Sequence, residues 1–182
     1  MSDIEKNLIL PDLLDLTRKT FPDNRGFFRE VFHLNELEAT LGGEFRPVQM
    51  NHSRSLPGVI RAMHAEHWNK LVYPVTGTMF AALADIRPDS PAFGKVATFT
   101  FDDSHRHALY VPVGFANSIC VIGQEPVDYI YLVDAYYTGQ DVRAIAWNDP
   151  DLAVPWPIAN PIISQRDQNN PTLRQMFPEK FK

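Results

Sequence analysis

Reactive side chains gather in one apolar stretch of this chain. Residues 58–77 read Gly-Val-Ile-Arg-Ala-Met-His-Ala-Glu-His-Trp-Asn-Lys-Leu-Val-Tyr-Pro-Val-Thr-Gly. Arg61, His64, Glu66, His67 and Lys70 thus stand among Val, Ile, Met, Trp and Leu. An imidazole that titrates near neutrality beside an ammonium is an acid–base pair. On a strand, residues two apart share a face, so Glu66 joins His64 and Arg61 faces away unless a bulge intervenes. The same residues also fit a plainer role: a hydrogen-bonded core histidine and a lysine at the rim.

Metal binding is the next chemistry to weigh. The metal sites of cupin barrels use a His-x-His pair, a Glu soon after and a later His on another strand. Gly58 and His64 have the spacing of the first half, but Glu66 replaces the second His of the pair. The later segment Val-Pro-Val-Gly-Phe-Ala-Asn-Ser puts Asn117 where the last His would be. Asn is a poor transition-metal ligand. His64, Glu66 and His67 could chelate only if residues 66 and 67 turned to one side, against strand alternation. No metal is therefore expected.

Two further clusters suit an anionic, ring-bearing ligand. Residues 21–32 place Arg25 and Arg29 around Gly26, Phe27 and Phe28. Guanidinium recognises phosphate and an aromatic ring stacks on a base; a charged turn entering a strand is the plainer alternative. In Asp-Tyr-Ile-Tyr-Leu-Val-Asp-Ala-Tyr-Tyr, Tyr129 and Tyr131 share a strand face, as proton donors or as core aromatics. Cys120 lies in the run Ser-Ile-Cys-Val-Ile and reads as a small buried hydrophobe.

The elements that must position these groups are short strands. The 182 residues fit one domain, 45% hydrophobic and 21% charged, with a formal charge of -5. That balance offers no basic footprint for nucleic acid, and no apolar run is long enough to span a bilayer. Met1–Lys6 lacks the basic-then-apolar order of a secretory signal, so a cytoplasmic location is expected. A single cysteine allows no intrachain disulfide. Fifteen prolines exclude long helices from most of the chain. Residues 96–101 alternate apolar and polar side chains, and residues 70–75, 79–86, 108–113, 118–122 and 128–133 are similar. Thr76-Gly77 sits where a tight turn would join two of them. The spacing predicts an antiparallel sandwich or barrel. Two helices are expected: 35–41, capped by Asn35 and stopped by Gly42-Gly43, and one opened by Asn170-Pro171.

Read in order, the segments form a recognisable series. Asp23, Arg25, Gly26, Phe28 and Glu30 fit D-x-R-G-x-F-x-E, and Gln49, Asn51 and Ser53 fit Q-x-N-x-S. Gly58, Val59, Arg61 and His64 follow G-V-x-R-G-x-H, with Ala62 for its second Gly, and Lys70-Leu71-Val72 comes next. Asp85 to Gly94 fits D-x-R-x-x-S-P-x-F-G; Pro112, Gly114 and Ala116 fit P-x-G-x-A. Trp147 to Leu152, Trp156-Pro157 and Ser164 to Asp167 complete the series. This arrangement resembles the dTDP-4-dehydrorhamnose 3,5-epimerase family from about residue 20 to about residue 170.

The resemblance implies an all-β cupin-type jelly-roll barrel with short peripheral helices, spanning 1–182 as one domain. It also implies a homodimer in which the N-terminal ~20 residues exchange across the interface. Its activity would be epimerisation of a nucleotide-activated 4-keto-6-deoxy sugar at C3, C5 or both, without cofactor. By match of position, His64 is the base, Asp167 orients it, Lys70 is the cation at the keto oxygen and Tyr131 delivers a proton. Arg25, Phe28, Glu30, Gln49, Asn51, Arg61 and Asn117 fall at substrate-binding positions. Four residues depart from the pattern: Asn117 for His, Ala81 for Asp, Leu132 for Lys and Glu66 for Gln. The alternatives are a cupin sugar-nucleotide ketoisomerase and a sugar-nucleotide-binding cupin without catalysis.

Overall fold

Proline and glycine break the chain into short segments, and these pair as two facing antiparallel sheets. The computed structural model describes residues 3–138 and 143–181. Sheet one contains β1 (Asp3–Lys6), β2 (Leu14–Thr17), β5 (Gln49–Ser55), β7 (Lys70–Pro74), β10 (Ala108–Val111) and β12 (Val127–Val133). Their order is β1-β2-β10-β7-β12-β5. Sheet two contains β6 (Val59–Ala65), β8 (Met79–Asp85), β9 (Val96–Phe101), β11 (Phe115–Val121) and β13 (Arg143–Ala144), ordered β13-β6-β11-β8-β9. β14 (Ile162–Ile163) adds to β6 in parallel. A separate hairpin of β3 (Thr20–Asp23) and β4 (Gly26–Arg29) completes the strands.

This is the antiparallel arrangement expected from the spacing, in the cupin-type jelly-roll architecture that the resemblance implies. It differs from expectation in one respect: among the described residues the two ladders do not join, so the barrel is an open sandwich. Within the N-terminal ~20 residues that the resemblance implies exchange with a partner, β1 pairs with β2 and β2 with β10 in sheet one of this chain.

Three apolar layers hold the sheets. Leu10, Leu13, Val72, Leu83, Phe101, Phe115 and Val127 fill the space between them. The outer face of sheet one packs Leu14, Leu16, Leu71 and Tyr110 under Leu37 and Phe45. The outer face of sheet two packs Ile60, Ala82 and Cys120 under the C-terminal segment, which brings Leu152, Leu173 and Phe177. Every residue of β8 is therefore buried, because both its faces are covered. Each fully buried Val, Leu, Ile, Phe or Met side chain in these layers contributes roughly 1.5–3 kcal/mol.

Local signals differ at the ends of elements. Helix α1 (Leu34–Leu41) starts after His33, which makes no side-chain cap, so Asn35 is not the cap. It stops as expected, with Gly42 at φ 67° donating to the Glu38 carbonyl. Helix α2 (Leu173–Met176) is capped by Thr172 rather than opened by Asn170-Pro171. The reason is reciprocal bonding: the Thr172 side chain accepts from the Gln175 amide while the Gln175 side chain accepts from the Thr172 amide. Thr76-Gly77 does turn the chain, but it carries β7 of sheet one over to β8 of sheet two. Gly77 is needed there: φ is 73°, and a Cβ would lie 2.7 Å from the Pro126 carbonyl oxygen.

Candidate active site

The inner face of the sandwich carries a polar cavity of about 160 Å³. It is lined by Ser53 of β5, Arg61 and His64 of β6, Glu66 and Lys70, Asn117 and Ile119 of β11, and Tyr129 and Tyr131 of β12. Two-residue alternation alone would send Arg61 to the far side from His64. A register shift between β6 and β11 corrects this: Asn117 pairs with His64 and Ile119 with Arg61, so Ser118 of β11 opposes both Ala62 and Met63 of β6. The bulge turns both Arg61 and His64 inward, while Ala62 and Met63 both pack in the outer layer of sheet two.

His64 Nε2 lies 2.7 Å from Asp167 Oδ1. Asp167 opens a one-turn 3-10 helix in the C-terminal segment and is only 4% exposed. Its own amide donates to Ser164 Oγ at 3.1 Å, which fixes the turn against β6. If Nε2 carries the hydrogen donated to this carboxylate, Nδ1 keeps the lone pair that a base requires.

Lys70 begins β7 and is buried, its Nζ 2.8 Å from Glu66 Oε1 and 3.4 Å from Asn117 Oδ1. The Asn117 amide nitrogen donates to Glu66 Oε2 at 2.9 Å and to the His64 carbonyl at 2.7 Å. Burial pulls the Lys70 ammonium below the ordinary lysine range, and the Glu66 carboxylate opposes that pull. Lys70 also stands 5.0 Å from the centre of the Tyr131 ring. Tyr129 and Tyr131 lie side by side, centroids 5.5 Å apart. Burial raises both phenols, Glu66 raises them further, and Arg61 partly offsets this at Tyr131. Protonated phenols can donate, so the cavity combines a base, a cation and proton donors.

The remaining residues anticipated from sequence divide into two groups. Arg61 bonds Ser55 Oγ at 2.8 Å, and Asn117 sits beside Lys70 as described. Asn51 pairs across the ladder with Tyr131, and the Gln49 amide donates to Asn51 Oδ1 at 2.8 Å, so both stand on the strand beside the cavity although neither lines it. Arg25, Phe28 and Glu30, by contrast, are not brought to the cavity within one chain. Arg29 ties their hairpin to Tyr73 Oη at 3.1 Å, and Tyr73 packs on the outer face of sheet one. The Arg25 side chain is 84% exposed and pairs with Asp23, Phe28 is exposed, and Glu30 meets His33. Ile119 lines the cavity without having been singled out in the sequence, and Ser53 and Tyr129, both named there, were given no catalytic or substrate-binding role. The shared face with Asn51 and Tyr131 was the signal for both. Among the described residues, no three His, Cys, Asp or Glu are grouped to hold a metal ion.

Comparison with known proteins decides the family. The family model described as dTDP-4-dehydrorhamnose 3,5-epimerase matches residues 7–175. The chain belongs to the dTDP-4-dehydrorhamnose 3,5-epimerase family. It is 36% identical to the dTDP-4-dehydrorhamnose 3,5-epimerase of Shigella flexneri over 88% of this chain and 90% of that one. The corresponding Escherichia coli K12 enzyme is 34% identical over 94% of this chain and 95% of its own. Among solved structures, a Legionella pneumophila dTDP-6-deoxy-D-glucose-3,5-epimerase in complex with dTDP-4-keto-L-rhamnose superposes with a TM-score of 0.90. It is 31% identical, covering 98% of this chain and 96% of that chain. A 4-keto-6-deoxy sugar epimerase from Streptomyces spheroides reaches 0.93 at 27% identity, with 99% and 92% covered. The epimerase family is thus shared by sequence and fold, and no described helix is long and apolar enough to cross a membrane.

Proposed function

We propose that this member of the family is an isomerase that epimerises a dTDP-linked 4-keto-6-deoxy sugar at C3, C5 or both. The observation that carries the reading is the convergence of the His64–Asp167 pair, Lys70 and Tyr131 on one cavity. The names of the relatives supply dTDP as the nucleotide.

The chemistry follows from the ketone. A C–H bond beside a carbonyl is weakly acidic because its anion is an enolate. His64 takes that proton as the C–H bond breaks, and the electron pair moves onto the keto oxygen. Asp167 holds the ring and stabilises the imidazolium that forms. Lys70 stabilises the enolate oxygen, a role worth roughly 3–4 kcal/mol for a preorganised donor. The Tyr131 hydroxyl returns a proton to carbon on the opposite face, re-forming the ketone with inverted configuration; solvent then reprotonates the phenolate, and the His64 imidazolium releases its proton to solvent. Atoms and electrons balance without oxidant, reductant or metal. Arg61, Gln49 and Asn51 are read as substrate contacts on the cavity side.

Arg25, Phe28 and Glu30 complete the site only if the hairpin serves a second copy. A homodimer is therefore part of the reading, supported by exposed Phe21, Phe27 and Phe28 on β3 and β4. Sedimentation would show a dimer, and a monomer at working concentration would remove those three residues from the site. A cytoplasmic location fits a sugar-nucleotide enzyme and is read the same way.

The test is proton NMR of dTDP-4-keto-6-deoxyglucose incubated with the protein in heavy water. Deuterium at C3 or C5 with an inverted product supports the reading and names the centre. A relocated carbonyl, or no exchange on this sugar, would overturn it.

A further inference from the structure

We propose that Glu66 is a positioning residue: it anchors the Lys70 ammonium and so sets the charge balance around the substrate's ketone. The inference rests on the reading of Lys70 as the cation at the keto oxygen. Glu66 sits just past the end of β6, and its side chain is 14% exposed. Its two oxygens are divided between two partners. Oε1 accepts from Lys70 at 2.8 Å and Oε2 accepts from the Asn117 amide at 2.9 Å. Asn117 in turn holds the His64 carbonyl, so one carboxylate links the cation to the strand that carries the base.

The surroundings explain why the anchor matters. An ammonium so deeply buried is expensive unless paired. Around Lys70 stand Arg61 and His64 on β6, Tyr129 and Tyr131 on β12, and neutral Asn117 on β11. Asp167 lies behind His64 and is engaged by it. Glu66 is the carboxylate in ion-pair contact with Lys70. Without its charge, Lys70 would keep the Asn117 oxygen at 3.4 Å and the face of Tyr131, both weaker partners. Burial pushes both phenols upward and the same negative charge adds to it, so one group supports the cation and opposes ionisation of the tyrosines.

The sign is the same at each group. Removing the charge of Glu66 makes Lys70 easier to deprotonate and Tyr131 easier to ionise. The alkaline limb of kcat/KM therefore moves to lower pH. Glu66→Gln is isosteric and removes the charge alone. Lys70 is titrated directly by NMR in protein labelled with ¹³Cε-lysine, its signal assigned by its loss in Lys70→Met. In Glu66→Gln the Lys70 titration should fall by about one pH unit or more, with the alkaline limb following it. Glu66→Asp, which keeps the charge, should leave the titration near that of the unaltered protein. An unmoved Lys70 titration in folded Glu66→Gln, or an equal fall in Glu66→Asp, overturns the proposal. If the unaltered protein exchanges no substrate proton, the epimerase reading fails by itself, and the lysine titration still decides the anchor.

Discussion

Asp167→Asn isolates the contribution of the His64–Asp167 pair, in which the carboxylate is proposed to orient the base. The substitution keeps size and shape, and the Ser164 contact to the backbone amide of residue 167 survives. What is lost is the charge 2.7 Å from His64 Nε2. A buried carboxylate receiving a hydrogen bond from a partner that becomes cationic contributes about 1.5–3 kcal/mol. At about 1.4 kcal/mol per decade, kcat/KM should fall roughly 10- to 150-fold. An amide can also present N–H to the imidazole and favour the wrong tautomer, which pushes the loss toward the upper value. The loss should appear in kcat as much as in kcat/KM, because the imidazolium forms only as the proton is removed. Steady-state assay on dTDP-4-keto-6-deoxyglucose, with a thermal melt as control, measures this. Activity within twofold of the unaltered protein would refute the orienting role of Asp167.

Other substitutions test separate parts of the account. Tyr131→Phe should retain hydrogen exchange at the substrate carbon yet slow inversion by about 10²-fold or more; inversion at the unaltered rate would mean another group supplies the proton. Gly77→Ala should lower stability by more than ~1 kcal/mol, read by denaturant unfolding, since a left-handed φ combines with contact to the Pro126 carbonyl. Phe45→Ala should destabilise by about 3–5 kcal/mol, because the ring is fully buried edge-on to Tyr110 between α1 and sheet one.

The strands β7 to β12 were legible because proline and glycine punctuate the segments between them and most are rich in Val, Ile, Phe or Tyr, whereas β5, with none of these four, was not among the expected strands. Residues 96–101 form β9 with the bounds expected from alternation. The face that lines the candidate site was less legible. Alternation places His64 with Glu66, but Arg61 joins them through a bulge that depends on the facing strand, β11. Asp167 lies 103 residues from His64 and no local pattern connects the two; only the family resemblance pointed there. The pairing of Glu66 with Lys70 is local in sequence, yet it is made across the turn between two strands rather than on a helix. The hairpin of β3 and β4 carries the expected Arg25 and Phe28, but sequence cannot say which cavity, its own or a partner's, a short hairpin serves. Helix starts failed for a simpler reason: Thr172 competes with Asn170 as a cap and wins through its bond with Gln175.

The central claim is that His64 removes the proton beside the ketone. The direct measurement is the rate of solvent deuterium uptake at C3 and C5 by His64→Ala, set against the unaltered protein on the same dTDP sugar. The account predicts ready uptake by the unaltered protein and a fall of at least about 10²-fold in the variant, with the fold intact by melting. Uptake by His64→Ala at the unaltered rate would contradict it and assign the base to another group of the cavity.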